Sequence, residues 1–229
     1  MKQPASITGG NGKNSVLPVW PEQQSIGRWD GTDIVVTQFC DHADYAPALL
    51  NTVLQRAGDK NLSHHFADDN VLNAVKVYDL EKWNTPESDL IGARALEMFG
   101  RVIKKTDVAI DASWASVYKS GNFVMPHSHP GSIASVLYML EPGDNTEVAG
   151  GQFLFADPRL KPCCRQQNGF MTTPSAPGIV AGTMVMFPGK AVHMVTPYLG
   201  STPRITLSWD LKLAGSTKTA VPSSMTRPD

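Results

Sequence analysis

The sequence predicts a mainly β protein of the α+β class: a jelly roll or sandwich buttressed on one side by helices that come first in the chain. Three observations carry this. Two segments with helical spacing of apolar residues, 45–57 and 86–103, precede residue 106. From Asp107 the texture changes to strand-like runs at 108–118, 132–140, 152–156, 178–187 and 204–212, separated by Gly, Pro, Asp and Asn. No internal repeat and no clean linker divides the 229 residues, a length that can bury one full core. The division expected is a flexible tail at 1–15, a single domain at 16–213 and a second flexible tail at 214–229. Within the domain, 16–106 would support a β core at 107–213.

Taken in order, residues 1–15 are rich in Gly, Asn, Ser and Lys, as loose termini are. Residues 16–21 are apolar with two prolines and read as an extended segment laid across the body. Residues 33–39, Asp-Ile-Val-Val-Thr-Gln-Phe, are β-branched and strand-like. Leu49, Leu50, Val53 and Leu54 then share a helix face, with Gly58 as a stop. His64 and His65 precede Asp68, Asp69 and Asn70, a set whose spacing fits no closed metal site and which reads as a solvated loop. Residues 71–78 read as a short element. Pro86, Glu87 and Asp89 suit a helix start, Lys104 and Lys105 suit its end, and Leu90, Ile91, Ala95, Leu96, Phe99 and Ile103 form the apolar stripe between.

Composition excludes several function classes. A net charge of -1 gives no electrostatic reason for a nucleic-acid or anionic-membrane partner. No apolar run is long enough to span a bilayer, and the amino terminus lacks an apolar signal core, so a cytoplasmic protein is expected. Cys40, Cys163 and Cys164 are an odd set that reads as reduced thiols.

The chemistry concentrates in two stretches. Met125-Pro126-His127-Ser128-His129-Pro130 places two histidines one residue apart, which in a strand project to the same face. Phe187-Pro188-Gly189-Lys190-Ala191-Val192-His193 adds a third beside a Pro-Gly corner. Neutral imidazoles suit iron, zinc and copper, and three protein ligands on one face leave positions open for a cosubstrate, oxygen or water. Taken singly, each histidine is more often structural; together they predict a metal site. Arg204 follows His193 across a turn containing Pro197, Gly200 and Pro203, and shares a strand face with Thr206. An arginine inside a strand is costly unless it meets an anion, either a protein carboxylate or a ligand.

With these residues, 114–213 resembles the iron(II)- and 2-oxoglutarate-dependent oxygenases, in particular the small bacterial and phage group with an HTHPG-like motif. The matching pieces are 114–121, His127-Ser128-His129-Pro130-Gly131-Ser132, Val136-Leu137-Tyr138, Gly150-Gly151-Gln152-Phe153-Leu154-Phe155, Asp157-Pro158-Arg159, 182–188, and the histidine–turn–Arg-x-Thr run from His193 to Thr206. The resemblance implies a double-stranded β-helix (a cupin-like jelly roll) with the metal at one mouth. It also implies a hydroxylase with Fe(II), 2-oxoglutarate and O2 as cofactors. His127 and His193 map onto the family's two metal-binding histidines, and Arg204 onto the residue that holds the far carboxylate of 2-oxoglutarate, with Thr206, Tyr118 or Tyr138 assisting. The usual Asp position is held by His129. Either His129 completes a three-histidine site, or it stands behind the metal and Asp157 supplies an oxygen. Arg159, Lys161, Arg165 and Gln166 lie in a long insertion where substrate contacts are plausible. The partner expected is a small molecule or peptide carrying an unactivated carbon, with homodimer formation left open. Two other functions stay open: a three-histidine dioxygenase that does not use 2-oxoglutarate, and a non-catalytic ligand-binding jelly roll. A zinc hydrolase suits the ligands too, but no general base accompanies them.

Overall fold

The computed structural model describes residues 6–8, 14–29, 32–66, 71–144, 149–157, 159 and 178–215. Two antiparallel sheets form the expected jelly roll. The larger has eight strands in the order β3 (Gly27–Arg28), β4 (Val35–Gln38), β11 (Thr183–Pro188), β9 (Ala134–Glu141), β13 (Arg204–Leu213), β7 (Val108–Tyr118), β6 (Val75–Tyr78) and β5 (His64–His65). The smaller is β10 (Phe153–Phe155), β12 (His193–Val195) and β8 (Val124–His127). β1 (Ser6–Thr8) and β2 (Asn14–Val16) pair with each other, so the stretch 1–15 expected as a tail contains β1 and most of β2. His64 and His65 form an exposed edge strand rather than a loop, while Asp68, Asp69 and Asn70 lie outside the described residues, as do Cys163 and Cys164. Among the described residues no helix is long and apolar enough to cross a membrane.

Period-two alternation explains how the large sheet is buried on both faces. Ala115 and Val117, Val136 and Leu140, Met184 and Met186, and Ile205, Leu207, Trp209 and Leu211 pack toward the helices. Their neighbours Tyr118, Leu137, Val185 and Phe187 pack toward the small sheet, against Val124, Phe153, Phe155 and Val195. The helices are α1 (His42–Gly58), through Tyr45, Leu49 and Val53, and α2 (Pro86–Ile103), through Leu90, Ile91, Ala95, Met98 and Phe99. Thr85 caps α2 reciprocally with Ser88, and Pro86 occupies the first turn, where its missing N–H costs nothing.

One charged residue lies on the apolar stripe of α2. Arg94 is fully buried and donates to both carboxylate oxygens of Asp41 (2.8 and 2.5 Å), to Tyr45 Oη (3.2 Å) and to the carbonyls of Pro18 and Val19 (both 3.1 Å). This ties the proline-containing segment 16–21 across the helices, as expected. Arg94→Met leaves Asp41 and two carbonyls without their donor, so it should cost about 3–5 kcal/mol, read as a lower denaturant midpoint at unchanged slope.

Candidate metal and cosubstrate site

The site lies between the two sheets. His127 ends β8 and His193 begins β12, and the antiparallel register sets them directly opposite each other, with ring centroids 4.3 Å apart. His129 lies beyond the end of β8, not inside a strand. A turn returns it to the site: its N–H donates to Gly189 O (2.6 Å), and Ser132 N–H donates to His129 O (3.0 Å). Gly189 has to be glycine there, because a Cβ would overlap the carbonyl oxygens of Ser132 and His129. His129 stands 5.1 Å from His127 and 5.2 Å from His193 by ring centroid, and one ligand atom from each of the three falls within 4.8 Å of the others.

The tautomers follow from the hydrogen bonds. His127 Nδ1 faces Met125 O (2.8 Å), His193 Nδ1 faces Ala191 O (2.9 Å) and His129 Nδ1 faces an oxygen of Asp210 (3.1 Å). All three partners can only accept, so each Nδ1 carries the proton and each Nε2 lone pair is free for a metal. Burial drives the His127 pKa down to about 4 and holds that of His193 well below its ordinary value. Both are therefore neutral at pH 7, the state in which imidazole ligates. Phe153 and Phe187 wall His193 at 5.4 and 4.7 Å, and Trp114 stacks on His129 at 5.7 Å.

A cleft of about 430 Å³, mouth included, opens from the histidines, lined among others by Lys76, Trp114, Ser116, Tyr118 and Thr206. Beyond it stands Arg204, 1 % exposed, its guanidinium carbon 4.9 Å from the centre of the Tyr118 ring. Its Nε and Nη1 have no hydrogen-bond partner. A buried cation with two unused donors fits a ligand carboxylate, and the protein-carboxylate alternative is excluded among the described residues. Gly151, at φ +69°, leaves space for the side chain, since a Cβ there would lie 3.0 Å from Arg204 Cδ. Burial raises the Tyr118 pKa, so its phenol stays a neutral donor.

Two of the expected residues lie elsewhere. Tyr138 is on the opposite face of β9 from the cleft, a correction to its expected role beside 2-oxoglutarate. Leu137, its neighbour in the chain, lines the cleft, so alternation turns Tyr138 toward the helices, where its hydroxyl bonds His42 Nδ1 (2.5 Å) and Tyr45 Oη (2.6 Å). Asp157 is committed to other partners. Its oxygens accept from Arg159 N (3.0 Å), Nε (2.8 Å) and Nη2 (2.5 Å) and from Val192 N (3.1 Å), and the Arg159 guanidinium holds its pKa down to about 2. It braces the approach to His193. Lys161, Arg165 and Gln166 lie outside the described residues.

The sequence reading missed Lys76 and Asp210. Lys76 extends into the cleft over the Trp114 ring (4.7 Å), and burial lowers its pKa to about 8. The sign of the linkage is clear. Below pH 8 both folded and unfolded states are protonated, and the fold bears the full cost of the buried ammonium. That cost fades as pH rises to about 10.4, the unfolded value. Lys76→Met should therefore stabilise the metal-free protein by roughly 2–3 kcal/mol at pH 7, with the gain shrinking toward pH 10 in denaturant titrations.

Comparison with known proteins agrees with this geometry. Residues 112–210 match the family described as "Putative 2OG-Fe(II) oxygenase". No curated protein matches. Among solved structures, the collagen prolyl hydroxylase of Paramecium Bursaria Chlorella virus-1, in its 2OG complex, superposes with a TM-score of 0.53 at 15% identity, covering 82% of this chain and all of that one. A Pseudomonas putida prolyl-4-hydroxylase gives 0.53 at 17%, covering 76% and 91%. The carbocyclase SnoK from nogalamycin biosynthesis gives 0.61 at 12%, covering 80% of each chain. At such identities these likenesses establish the shared fold. Residues 112–210, which carry the three histidines and the buried Arg204, match the 2OG-Fe(II) oxygenase family model, and the chain is an oxygenase that uses Fe(II), 2-oxoglutarate and O2.

Proposed function

We propose that this enzyme hydroxylates an unactivated carbon of an amino acid, a peptide side chain or a small pathway intermediate, with His127, His129 and His193 as the metal ligands. Arg204, Thr206 and Tyr118 would hold 2-oxoglutarate. The observation that carries the reading is the buried Arg204 guanidinium, with its Nε and Nη1 free, beyond a cleft that opens from three convergent imidazoles. Bound iron(II), 2-oxoglutarate and O2 supply the oxidation: one oxygen atom enters the substrate as hydroxyl, and the other enters succinate as CO2 departs.

The chain's own residues do the rest. The histidines present neutral Nε2 atoms from two strands and a turn, and bear no charge that would oppose an anionic cosubstrate. Arg204 neutralises the distal carboxylate, with Tyr118 and Thr206 beside it as hydroxyl donors. Phe153, Phe187, Val124 and Val195 exclude water from one side of the cleft. Lys76, with no hydrogen-bond partner among the described residues, suits a substrate that itself carries a carboxylate, as an amino acid does.

The test is anaerobic titration of the iron(II)-loaded protein with 2-oxoglutarate. A weak visible absorption band saturating at one equivalent, followed by succinate formation only when oxygen is admitted, is the expected result. Bound iron without that band would favour the second reading, a three-histidine dioxygenase acting without 2-oxoglutarate, for which His129 in the carboxylate position speaks. Succinate equally abundant without oxygen would defeat the hydroxylase reading.

A further inference from the structure

A site with two histidines and a carboxylate gives its metal one negative charge, and three neutral imidazoles give none. The structure places a carboxylate immediately behind one of the three. Asp210 continues the face of β13 that carries Arg204, Thr206 and Ser208, because the intervening Ile205, Leu207 and Trp209 all turn to the helices. One of its oxygens accepts from Ser135 Oγ (2.7 Å), its cross-strand neighbour on β9, and the other faces His129 Nδ1 (3.1 Å). Asp210 is 9% exposed and makes no ion pair with Lys or Arg among the described residues. His127 and His193 lean on backbone carbonyls instead, so His129 alone of the three is backed by a charge.

We propose that Asp210 is the anionic component of the metal site, held by Ser135 and acting through the His129 ring rather than by direct ligation. A carboxylate accepting the Nδ1 proton fixes the ring's tautomer and orientation and makes Nε2 a stronger donor to the metal. Asp210 is thus a positioning and charge-supplying residue, and its negative charge stands one imidazole further from the ion than a ligating carboxylate would. This inference rests on the three-histidine reading.

The experiment compares wild type with Asp210→Asn, which keeps shape and an oxygen able to accept from His129 while removing the charge. The wild-type protein is first titrated with Co(II) followed by its d–d absorption, and must take up one equivalent. Failure there overturns the three-histidine reading itself, and this proposal with it, before any variant is compared. Given one equivalent, Asp210→Asn should retain the stoichiometry, bind Co(II) and Zn(II) about 10–100-fold more weakly, and raise the Fe(III)/Fe(II) potential. Ser135→Ala, which removes only the support, should weaken binding less. It carries the test if Asp210→Asn does not fold by circular dichroism. A folded Asp210→Asn protein with wild-type metal affinity and potential overturns the proposal, even if its metal-free stability has changed, because a purely structural role predicts that outcome. In the fallback, wild-type metal affinity in Ser135→Ala does the same.

Discussion

Arg204→Met is expected to bind 2-oxoglutarate at least about 100-fold more weakly, and to unfold at a higher temperature than wild type when metal and cosubstrate are both absent. The two effects have one cause. A charge-assisted hydrogen bond contributes roughly 1.5–3 kcal/mol, and the free Nε and Nη1 offer two to an incoming carboxylate. Until it arrives, the cation is buried and uncompensated, and its desolvation is a standing cost to the fold. An apolar side chain of similar volume removes that cost together with the affinity. Calorimetric titration and thermal unfolding of one sample read both. Unchanged 2-oxoglutarate affinity would show that the carboxylate is held elsewhere. A large fall in apo stability would show that Arg204 is paired within the fold.

His193→Ala should abolish stoichiometric metal binding, a larger loss than the roughly 10–100-fold that changes behind a ligand produce. His193 is buried, its Nδ1 is committed to Ala191 O, and its ring is closed in by Phe153 and Phe187, so no side chain among the described residues stands ready to replace it. Metal content after desalting should fall from one equivalent to background. The rise in melting temperature expected of wild type with added metal should vanish, because that rise measures binding to the folded state alone. His127→Ala should behave alike. A His193→Ala protein that kept one equivalent would refute the ligand assignment.

The long strands of the large sheet and both helices were legible because their patterns run for eight residues or more. β8 and β12 are too short for any periodicity, and the sequence located them only through their histidines, whereas β10 showed as the apolar run at 152–156. Tyr138 was assigned to the wrong face for a physical reason: Val136, Leu137 and Tyr138 are all buried, so a strand covered on both sides shows no polar alternation to orient it. The opposite holds for β13, where Arg204, Thr206, Ser208 and Asp210 alternate with apolar residues. That alternation put Arg204 and Thr206 on one face, but Asp210 was missed because its pairing with His129, 81 positions away, leaves no local pattern. Arg94 sits at apolar-stripe spacing, and a lone charge on such a stripe reads as solvent-facing until Asp41 is brought beside it. Lys76 in Val-Lys-Val-Tyr has the parity of an outward residue, and only the small sheet's position turns outward into cleft.

The direct pairing of His127 with His193 makes the site sensitive to chain length in a position-dependent way. Shifting a strand's register by one residue turns each of its side chains to the other face, so a single inserted or deleted residue within β8 or β12 would carry an imidazole out of the cleft without altering composition. The connection between His193 and Arg204 runs through an exposed stretch at Ser201 and Thr202, anchored by Asp144, where an added residue can bulge outward. Natural variation in length should therefore gather in the turns, and the two paired strands should keep their residue count wherever the three-histidine arrangement is kept.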